Sequence, residues 1–234
     1  MTGDLLLALP SRNRPESVAR FLQAVHKTSK MKTHVCVGVD DDDPRFTEYL
    51  DVMERYGGED DQLESGPRKG LVAWTNEIAS KRVEDYPYLA SFGDDHIPST
   101  PGWDKALIKA IERMGGTGVV YPWDGTREDI PEACVLSSNI VQKLGWMSMP
   151  DLEHWYQDNV WADLGRGIGR LRHLRAIKVE HAWKEDQTSR DSAEKLTADR
   201  DAYYLWRKER MADDIKMLFE LIEGDSEPVT TIAS

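Results

Sequence analysis

The sequence has few cysteines, and its apolar runs are short. Its two cysteines, Cys36 and Cys134, lie far apart within apolar segments, which is typical of buried thiols in a reducing compartment and not of a disulfide scaffold. The longest apolar run, residues 5–9, is far shorter than the roughly 18 residues that a membrane-spanning helix requires. It lacks a basic leader and ends at Pro10, so it does not resemble a signal peptide. We therefore expect a cytoplasmic protein with no membrane segment.

Positive charge is also scarce. The chain has 30 Lys and Arg against 42 Asp and Glu, a formal net charge of −12. Proteins that coat nucleic acid are usually basic, so a general nucleic-acid-binding role is disfavoured, although a local basic patch is compatible with this average. Apolar residues make up 40% and charged residues 31%, which excludes a disordered, collagen-like or membrane-embedded chain. The length suits one or two domains.

Short apolar runs alternate with amphipathic segments along the first two thirds of the chain. Residues 5–9 and 35–39 predict strands buried on both faces, and Pro15 opens a helix between them. The alternation continues with predicted helices at 46–56, 71–83 and from Pro101, and with predicted strands at 88–92, 119–121 and 134–136. This pattern predicts an α/β fold with a mostly parallel sheet flanked by helices.

The end of the chain has a different character. Residues 189–223 are highly charged, yet five apolar side chains fall on one helical face: Tyr204, Met211, Ile215, Leu218 and Ile222. This spacing predicts a long C-terminal helix that packs on the domain. The alternatives are a helix that mediates oligomerisation and a helix that acts as a lid over a substrate site.

Acidic and imidazole side chains follow the third predicted strand, in the sequence Gly93-Asp94-Asp95-His96. Ligands of open α/β sheets bind at the carboxyl ends of the strands. Two adjacent carboxylates there concentrate negative charge, which a divalent cation would neutralise. Mg²⁺ prefers oxygen ligands, and an imidazole shifts the expectation towards Mn²⁺. We predict a site for one of these ions, the alternative being a solvated turn that caps the next segment.

Four segments, taken in order, resemble a GT-A glycosyltransferase, in particular the family 2-like nucleotide-sugar transferases. They are residues 7–15 after the first strand, 37–41 after the second, 70–76 opening a helix, and 94–96 where the family has an Asp-x-Asp site. The resemblance covers residues 3 to 183 and implies a GT-A-like, Rossmann-like catalytic domain at 1–188. Its nucleotide-binding half would be 1–100 and its acceptor half 101–188, with a helical extension and tail at 189–234.

The resemblance implies a site for a nucleotide-diphosphate sugar, with a UDP-sugar favoured. Asp40 or Asp41 would accept a hydrogen bond from the base, and an arginine near the diphosphate suits phosphate oxygens. Solvated surface charge is the alternative for the arginines and for the acidic run at 40–43. The residues that would line this site are Pro10, Ser11, Arg12, Arg14, Asp40, Asp41 and Asp94, with Arg68 and Lys69 as further phosphate candidates.

The resemblance leaves two arrangements of the metal ligands open. In an Asp-x-His form, Asp94 and His96 would bind the ion together with a downstream histidine. In the two-Asp form, Asp95 would bind the ion and Asp94 would face the ribose. We therefore keep Asp94, Asp95 and His96 together as candidates. His181 ends a strand-like run at 176–181, and the family's late metal ligand would correspond to it.

Inverting members of the family place a catalytic carboxylate at the start of a helix beneath the acceptor, where this chain has residues 150–159. Such a carboxylate would take the proton of the acceptor hydroxyl. Asp158 and Asp151 are equal candidates, and Glu153 ranks behind them. Asp151 also suits a helix N-cap, and Asp158 would share a helical face with His154.

A basic run at residues 166–178 has five cations and no acid: Arg166, Arg170, Arg172, Arg175 and Lys178. It could close over the leaving diphosphate, or bind a phosphate-bearing acceptor such as DNA. A solvated surface is the alternative.

Together these features predict a metal-dependent glycosyltransferase that moves a sugar to an acceptor hydroxyl, on a modified DNA base or a small molecule. One alternative is a nucleotidyltransferase, which would need a glycine-rich basic segment after the first strand that residues 11–14 lack. The other is a non-catalytic nucleotide-sugar-binding protein, against which the metal and base candidates argue.

Overall fold

The strands form one mixed sheet in the computed structural model, which describes residues 3–182, 190 and 192–224. Among these residues the sheet has eight strands in the order β3-β2-β1-β4-β7-β6-β8-β5. The strands are β1 (Leu5–Pro10), β2 (Thr33–Asp40), β3 (Gln62–Gly66), β4 (Tyr88–Ser91), β5 (His96–Pro98), β6 (Val119–Trp123), β7 (Cys134–Ser137) and β8 (Leu171–His181).

Helices cover both faces of this sheet. They are α1 (Pro15–Thr28), α2 (Phe46–Tyr56), α3 (Gly70–Arg82), α4 (Trp103–Glu112), α5 (Ser138–Leu144), α6 (Gln157–Gly167), α7 (Leu196–Glu209) and α8 (Met211–Gly224). The predicted α/β class is confirmed.

The direction of the strands brings their functional ends together. β1 pairs in parallel with β2 and β4, and β2 pairs in parallel with β3. The carboxyl ends of these four strands therefore lie along the same edge of the sheet. β7 runs antiparallel to β4 and β6, and therefore begins at that same edge. β8 is parallel to β6 and antiparallel to the short β5.

The core lies on both faces of the sheet, as continuous apolar strands require. β1 contributes Leu6 and Ala8 to one face, where α3, α5, α6, α7 and α8 pack. It contributes Leu5, Leu7 and Leu9 to the other face, where α1, α2 and α4 pack. The alternation of side chains along a strand divides the apolar run between two layers.

Two strands, β3 and the short β5, are absent from the sequence prediction. β3 has the sequence Gln-Leu-Glu-Ser-Gly. It is the outermost strand on one side of the sheet, and polar residues are usual in such strands. The run at 88–92 is therefore the fourth strand in chain order and not the third.

The predicted single C-terminal helix is wrong, because α7 and α8 are separated at Arg210. Trp206 and Leu218 both belong to the core beneath α6. In one continuous helix they would lie about 120° apart around the axis, since twelve residues make about three and one-third turns. The break lets both side chains face the same core, whereas Tyr204 of the predicted apolar face is 54% exposed. The described part of the extension thus shares its core with residues 3–182.

A histidine–carboxylate pair makes the stability of the fold dependent on pH. His26 Nε2 of α1 lies 2.7 Å from Asp61 Oδ2, and Asp61 also accepts the backbone N–H groups of Val35 and Gly58. The hydrogen bond that His26 donates to Asp61 raises the pKa of His26 above its usual 6.5. The stabilisation is therefore fully present below pH 6.5 and is lost as the pH rises through the higher folded-state pKa.

We expect His26→Gln to lower Tm more at pH 6 than at pH 9, because only the wild type gains an ion pair at the lower pH. Thermal unfolding of both proteins at the two pH values measures this difference. An equal loss of Tm at both pH values would contradict the assignment.

Candidate active site

Three of the four predicted metal ligands meet at the edge of the sheet where the strands end. The antiparallel register of β5 and β8 pairs His96 with His181, and their rings stack with centroids 4.2 Å apart. Asp95 Oδ1 lies 3.3 Å from His96 Nδ1, and Asp95 Oδ2 lies 3.6 Å from His181 Nε2. Within the described residues, one ligand atom each from Asp95, His96 and His181 lies within 4.8 Å of the others. We call these three residues the metal cluster.

The residues of the metal cluster fit a divalent cation. His96 Nδ1 accepts the backbone N–H of Gly93 at 3.1 Å, while His96 Nε2 is buried with no hydrogen-bond partner among the described residues. In the neutral ring Nε2 then carries the proton, so a cation would bind Nδ1, the nitrogen beside Asp95 Oδ1, in place of the Gly93 contact. A carboxylate with two imidazoles suits Mn²⁺ better than Mg²⁺.

The carboxylate of the cluster is ionised at neutral pH, whereas His181 must lose a proton before it can bind a cation. Burial of Asp95 opposes its ionisation, but its contacts with His181 and then His96 outweigh burial and lower its pKa. The carboxylates of Asp95 and then Glu132 raise the pKa of His181 to about 10. Asp95 is therefore a carboxylate at neutral pH, the form that binds a cation.

Asp94 faces away from the metal cluster, towards the loop after β1. Its Oδ2 accepts a hydrogen bond from Ser11 Oγ at 2.6 Å, and its Oδ1 lies 3.5 Å from Arg14 Nη1. Burial raises the pKa of Asp94 to about 6, and the hydrogen bond from Ser11 partly opposes this. Of the two arrangements that the resemblance leaves open, this placement favours the one in which Asp95 would bind the ion and Asp94 would face the ribose. A metal role for Asp94 stays a prediction.

Asp40 joins three of the predicted nucleotide-binding segments. Its buried carboxylate accepts hydrogen bonds from Arg12 Nη1 at 2.9 Å, from Trp74 Nε1 at 2.8 Å and from the backbone N–H of Lys69 at 3.1 Å. These donors come from the loops after β1 and β3 and from α3. The neighbouring Asp41 is exposed. Asp40 therefore fixes the relative positions of these three segments, and Asp41 presents its carboxylate to solvent.

The remaining predicted phosphate contacts lie at the same edge. Pro10 is the last residue of β1, and Arg12 also pairs with Asp42 at 2.6 Å. Lys69 lies 4.1 Å above the ring of Trp74 and pairs with Glu77, whereas Arg68 is exposed. The side chain of Lys69 is thus held by two residues of α3, whereas the side chain of Arg68 is open to solvent.

The structure separates the two base candidates. Asp158 lies in the first turn of α6, where burial raises its pKa and the nearby charge of Glu132 adds to that effect. Asp151 is exposed and forms an ion pair with Arg210, between α7 and α8. Asp158 is therefore a partly buried carboxylate whose pKa is raised in part by Glu132, and Asp151 belongs to a surface ion pair.

The predicted helix start at Asp151 is wrong, because α6 begins at Gln157. The preceding loop is held by Asp199 of α7, whose carboxylate accepts the backbone N–H groups of residues 153, 154 and 155 at 2.9, 2.9 and 2.7 Å. Tyr156 then has a φ of 69°, which lies in the left-handed region and outside the range of a regular α-helix. A helix that began at Asp151 would therefore be interrupted at this residue. His154 consequently precedes the helix and does not share a helical face with Asp158.

Local sequence patterns do not indicate two further residues near the candidate site. Asp199 is 44 positions from Trp155, whose backbone N–H it binds, so no local pattern connects them. Glu132 lies beside His181, with 3.2 Å between Oε2 and Nδ1. The signal that could have found Glu132 is its position just before β7, since an antiparallel strand begins where its parallel neighbours end.

The basic run spans the end of α6 and most of β8. Arg166 donates to the backbone carbonyl of Asp129, and Arg175 pairs with Glu128 at 2.7 Å. Arg172 and Lys178 are exposed on β8. A DNA acceptor, oligomerisation through the C-terminal helices and the cellular location stay predictions. In the part of the chain that the structure describes, no helix is both long and apolar enough to cross a membrane.

Comparisons with known proteins gave matches at the level of structure. No protein-family model and no curated protein sequence matches this chain. The S. aureus protein TarS, residues 1–349 with UDP-GlcNAc, superposes with a TM-score of 0.62 and 10% identity, over 79% of this chain and 60% of that one.

Two further solved structures have similar scores. The mannosyltransferase PcManGT from Pyrobaculum calidifontis, with GDP-Man and Mn²⁺, matches with a TM-score of 0.61 and 9% identity, over 80% of this chain and 59% of that one. Glucosyl-3-phosphoglycerate synthase from Mycobacterium tuberculosis, with Mn²⁺ and UDP, matches at 0.59 and 10%, over 78% and 73%.

This chain spans about 60% of the length of the TarS and PcManGT chains that it matches. Identities of 9–10% carry the architecture and not the activity. The β3-β2-β1-β4 parallel order, the antiparallel β7 and these superpositions agree, and the chain has the GT-A fold of glycosyltransferases.

Proposed function

We propose that this protein is a metal-dependent glycosyltransferase that moves a sugar from a nucleotide diphosphate to an acceptor hydroxyl. The observation that carries the proposal is the metal cluster of Asp95, His96 and His181 at the carboxyl edge of a GT-A sheet. Solved proteins with this fold contain UDP-GlcNAc, GDP-Man with Mn²⁺, or UDP with Mn²⁺, which supports the same ligand class here.

In this proposal Asp95, His96 and His181 hold Mn²⁺ or Mg²⁺. The bound ion would offset the negative charge that develops on the leaving diphosphate. Arg14, which lies 3.5 Å from Asp94, adds a guanidinium whose planar shape matches phosphate oxygens.

The nucleoside would lie over the loops after β1 and β2. Pro10, Ser11 and Arg12 line this side of the site, with Arg68 and Lys69 at its margin. The oxygens of Asp40 already accept hydrogen bonds from Arg12, Trp74 and Lys69. We therefore assign the hydrogen bond from the base to the exposed Asp41, with a UDP-sugar as the favoured donor.

Asp158 would act as the general base. As the acceptor oxygen attacks the anomeric carbon, its proton passes to the Asp158 carboxylate. The bond between that carbon and the phosphate oxygen breaks, and its electron pair leaves with the diphosphate. Burial raises the pKa of Asp158, which makes this carboxylate a better proton acceptor.

A thermal-shift series with UDP and GDP, each with and without Mn²⁺, tests the proposal. We expect UDP with Mn²⁺ to raise Tm more than either alone, and EDTA to remove the gain. Ligand at 100 times its Kd would stabilise the folded state by about 2.7 kcal/mol. No stabilisation by any nucleoside diphosphate with Mn²⁺ would overturn the proposal.

The same samples separate an enzyme from a binding protein. A transferase should release UDP slowly from a UDP-sugar in the presence of Mn²⁺, even without an acceptor. Stabilisation by the sugar nucleotide with no release of UDP under any acceptor condition would favour the non-catalytic alternative.

A further inference from the structure

Glu132 lies beside a predicted metal ligand without belonging to the metal cluster. Its Oε2 is 3.2 Å from His181 Nδ1, an ion-pair contact without hydrogen-bond geometry, and the two side chains are only 20% and 18% exposed. The other ring nitrogen of His181, Nε2, faces Asp95 Oδ2 at 3.6 Å. The two nitrogens of one imidazole therefore face two different carboxylates.

The loop before β7 holds the Glu132 carboxylate in place. Thr126 Oγ1 lies 3.0 Å from Glu132 Oε2 and 2.7 Å from Asp124 Oδ1. Asp124 is only 5% exposed and also accepts the backbone N–H of Thr126 at 2.8 Å. These contacts restrict the side-chain conformation of Glu132 and so keep its carboxylate beside His181.

The sheet explains why Glu132 reaches the site. β4 and β7 are antiparallel, and Ser91 at the end of β4 pairs with Cys134 at the start of β7. Residues just after Ser91 and just before Cys134 must therefore share one edge of the sheet. Asp95 follows β4 and Glu132 precedes β7, which places both next to His181.

We propose that Glu132 is a positioning residue that orients His181 as a metal ligand. A carboxylate that accepts a hydrogen bond from one ring nitrogen fixes the tautomer and orientation of the imidazole, and the other nitrogen then faces the ion. Stacking on His96 sets the plane of the His181 ring, and Glu132 decides which nitrogen faces Asp95. This inference rests on the proposed function.

The test compares Glu132→Ala and Glu132→Gln with a control, Glu128→Ala. Glu128 is on the same loop, is 55% exposed, and pairs with Arg175. The affinity of the full chain for Mn²⁺ alone is measured by electron paramagnetic resonance of free Mn²⁺, and Tm without ligand checks folding. We expect Glu132→Ala to bind Mn²⁺ roughly 10- to 100-fold more weakly, and Glu128→Ala to bind as the wild type.

The glutamine variant separates positioning from direct ligation. Its amide oxygen can still accept a hydrogen bond from the imidazole, so its affinity should lie between those of the wild type and Glu132→Ala. Glutamine as damaging as alanine, or wild-type affinity in Glu132→Ala, would overturn the inference. If the alanine variant does not fold, unchanged Mn²⁺ affinity in Glu132→Gln, or a loss of roughly 100-fold or more, overturns the inference, and a smaller measurable loss supports it.

The outcome for the wild type keeps this inference distinct from the proposed function. Wild-type protein that binds neither Mn²⁺ nor a nucleoside diphosphate refutes both. Wild-type binding that Glu132→Ala leaves unchanged refutes only the role of Glu132.

Discussion

Replacement of Asp95 with alanine is expected to abolish Mn²⁺-dependent nucleotide binding, and turnover with it. Asp95 is the carboxylate of the metal cluster and contacts both histidines, at 3.3 and 3.6 Å. Its lowered pKa means that the variant loses a full negative charge at neutral pH. Two imidazoles without a carboxylate are poor ligands for a hard divalent ion.

Calorimetric titration of UDP in the presence of Mn²⁺ measures this loss, with UDP alone as the reference. Asp51→Ala, on the exposed side of α2, is the matched control and should bind as the wild type. The Tm of each variant without ligand shows whether the fold is retained. Tight binding of UDP with Mn²⁺ by Asp95→Ala would refute the metal assignment.

Asp158→Asn is expected to lower kcat by about 10²- to 10⁴-fold, the range for loss of a general base. The amide has nearly the shape of the carboxylate but cannot accept the acceptor's proton. Because Asp158 is assigned no contact with nucleotide or ion, UDP binding with Mn²⁺ should stay close to that of the wild type. This split between catalysis and binding is what distinguishes a base from a structural residue.

Asp151→Asn is the matched control, because both aspartates suit the base role by sequence alone. Asp151 is exposed and paired with Arg210, and exposed ion pairs contribute little to stability, so kcat should be unchanged. Rates of UDP release from a UDP-sugar with acceptor give both values. Normal kcat in Asp158→Asn together with a large loss in Asp151→Asn would reverse the assignment.

Local sequence patterns were sufficient to predict much of the sheet. β1, β2 and β4 are continuous apolar runs because both of their faces are buried, and such runs stand out in any sequence. β3 has no such run, because an edge strand faces less of the core. The C-terminal helices were misjudged because spacing along a chain cannot show a break that packing imposes at Arg210.

The site was predictable where its residues follow parallel strands. Ser11, Asp40 and the acidic segment at 94–96 come directly after apolar runs, and the carboxyl ends of parallel strands share one edge. Sequence alone therefore determined the fold class, and it predicted the edge at which we propose that the chemistry takes place.

Only the tertiary structure decided which charged groups meet at that edge. Antiparallel pairing brings Glu132 to His181 and sets His181 against His96, and α7 brings Asp199 to the loop before Asp158. The structure also places Asp158 and Asp151 in different surroundings, and likewise Asp95 and Asp94. The physical reason is that these contacts join residues far apart in the chain, and a side chain's charge environment depends on what packs against it rather than on its sequence neighbours.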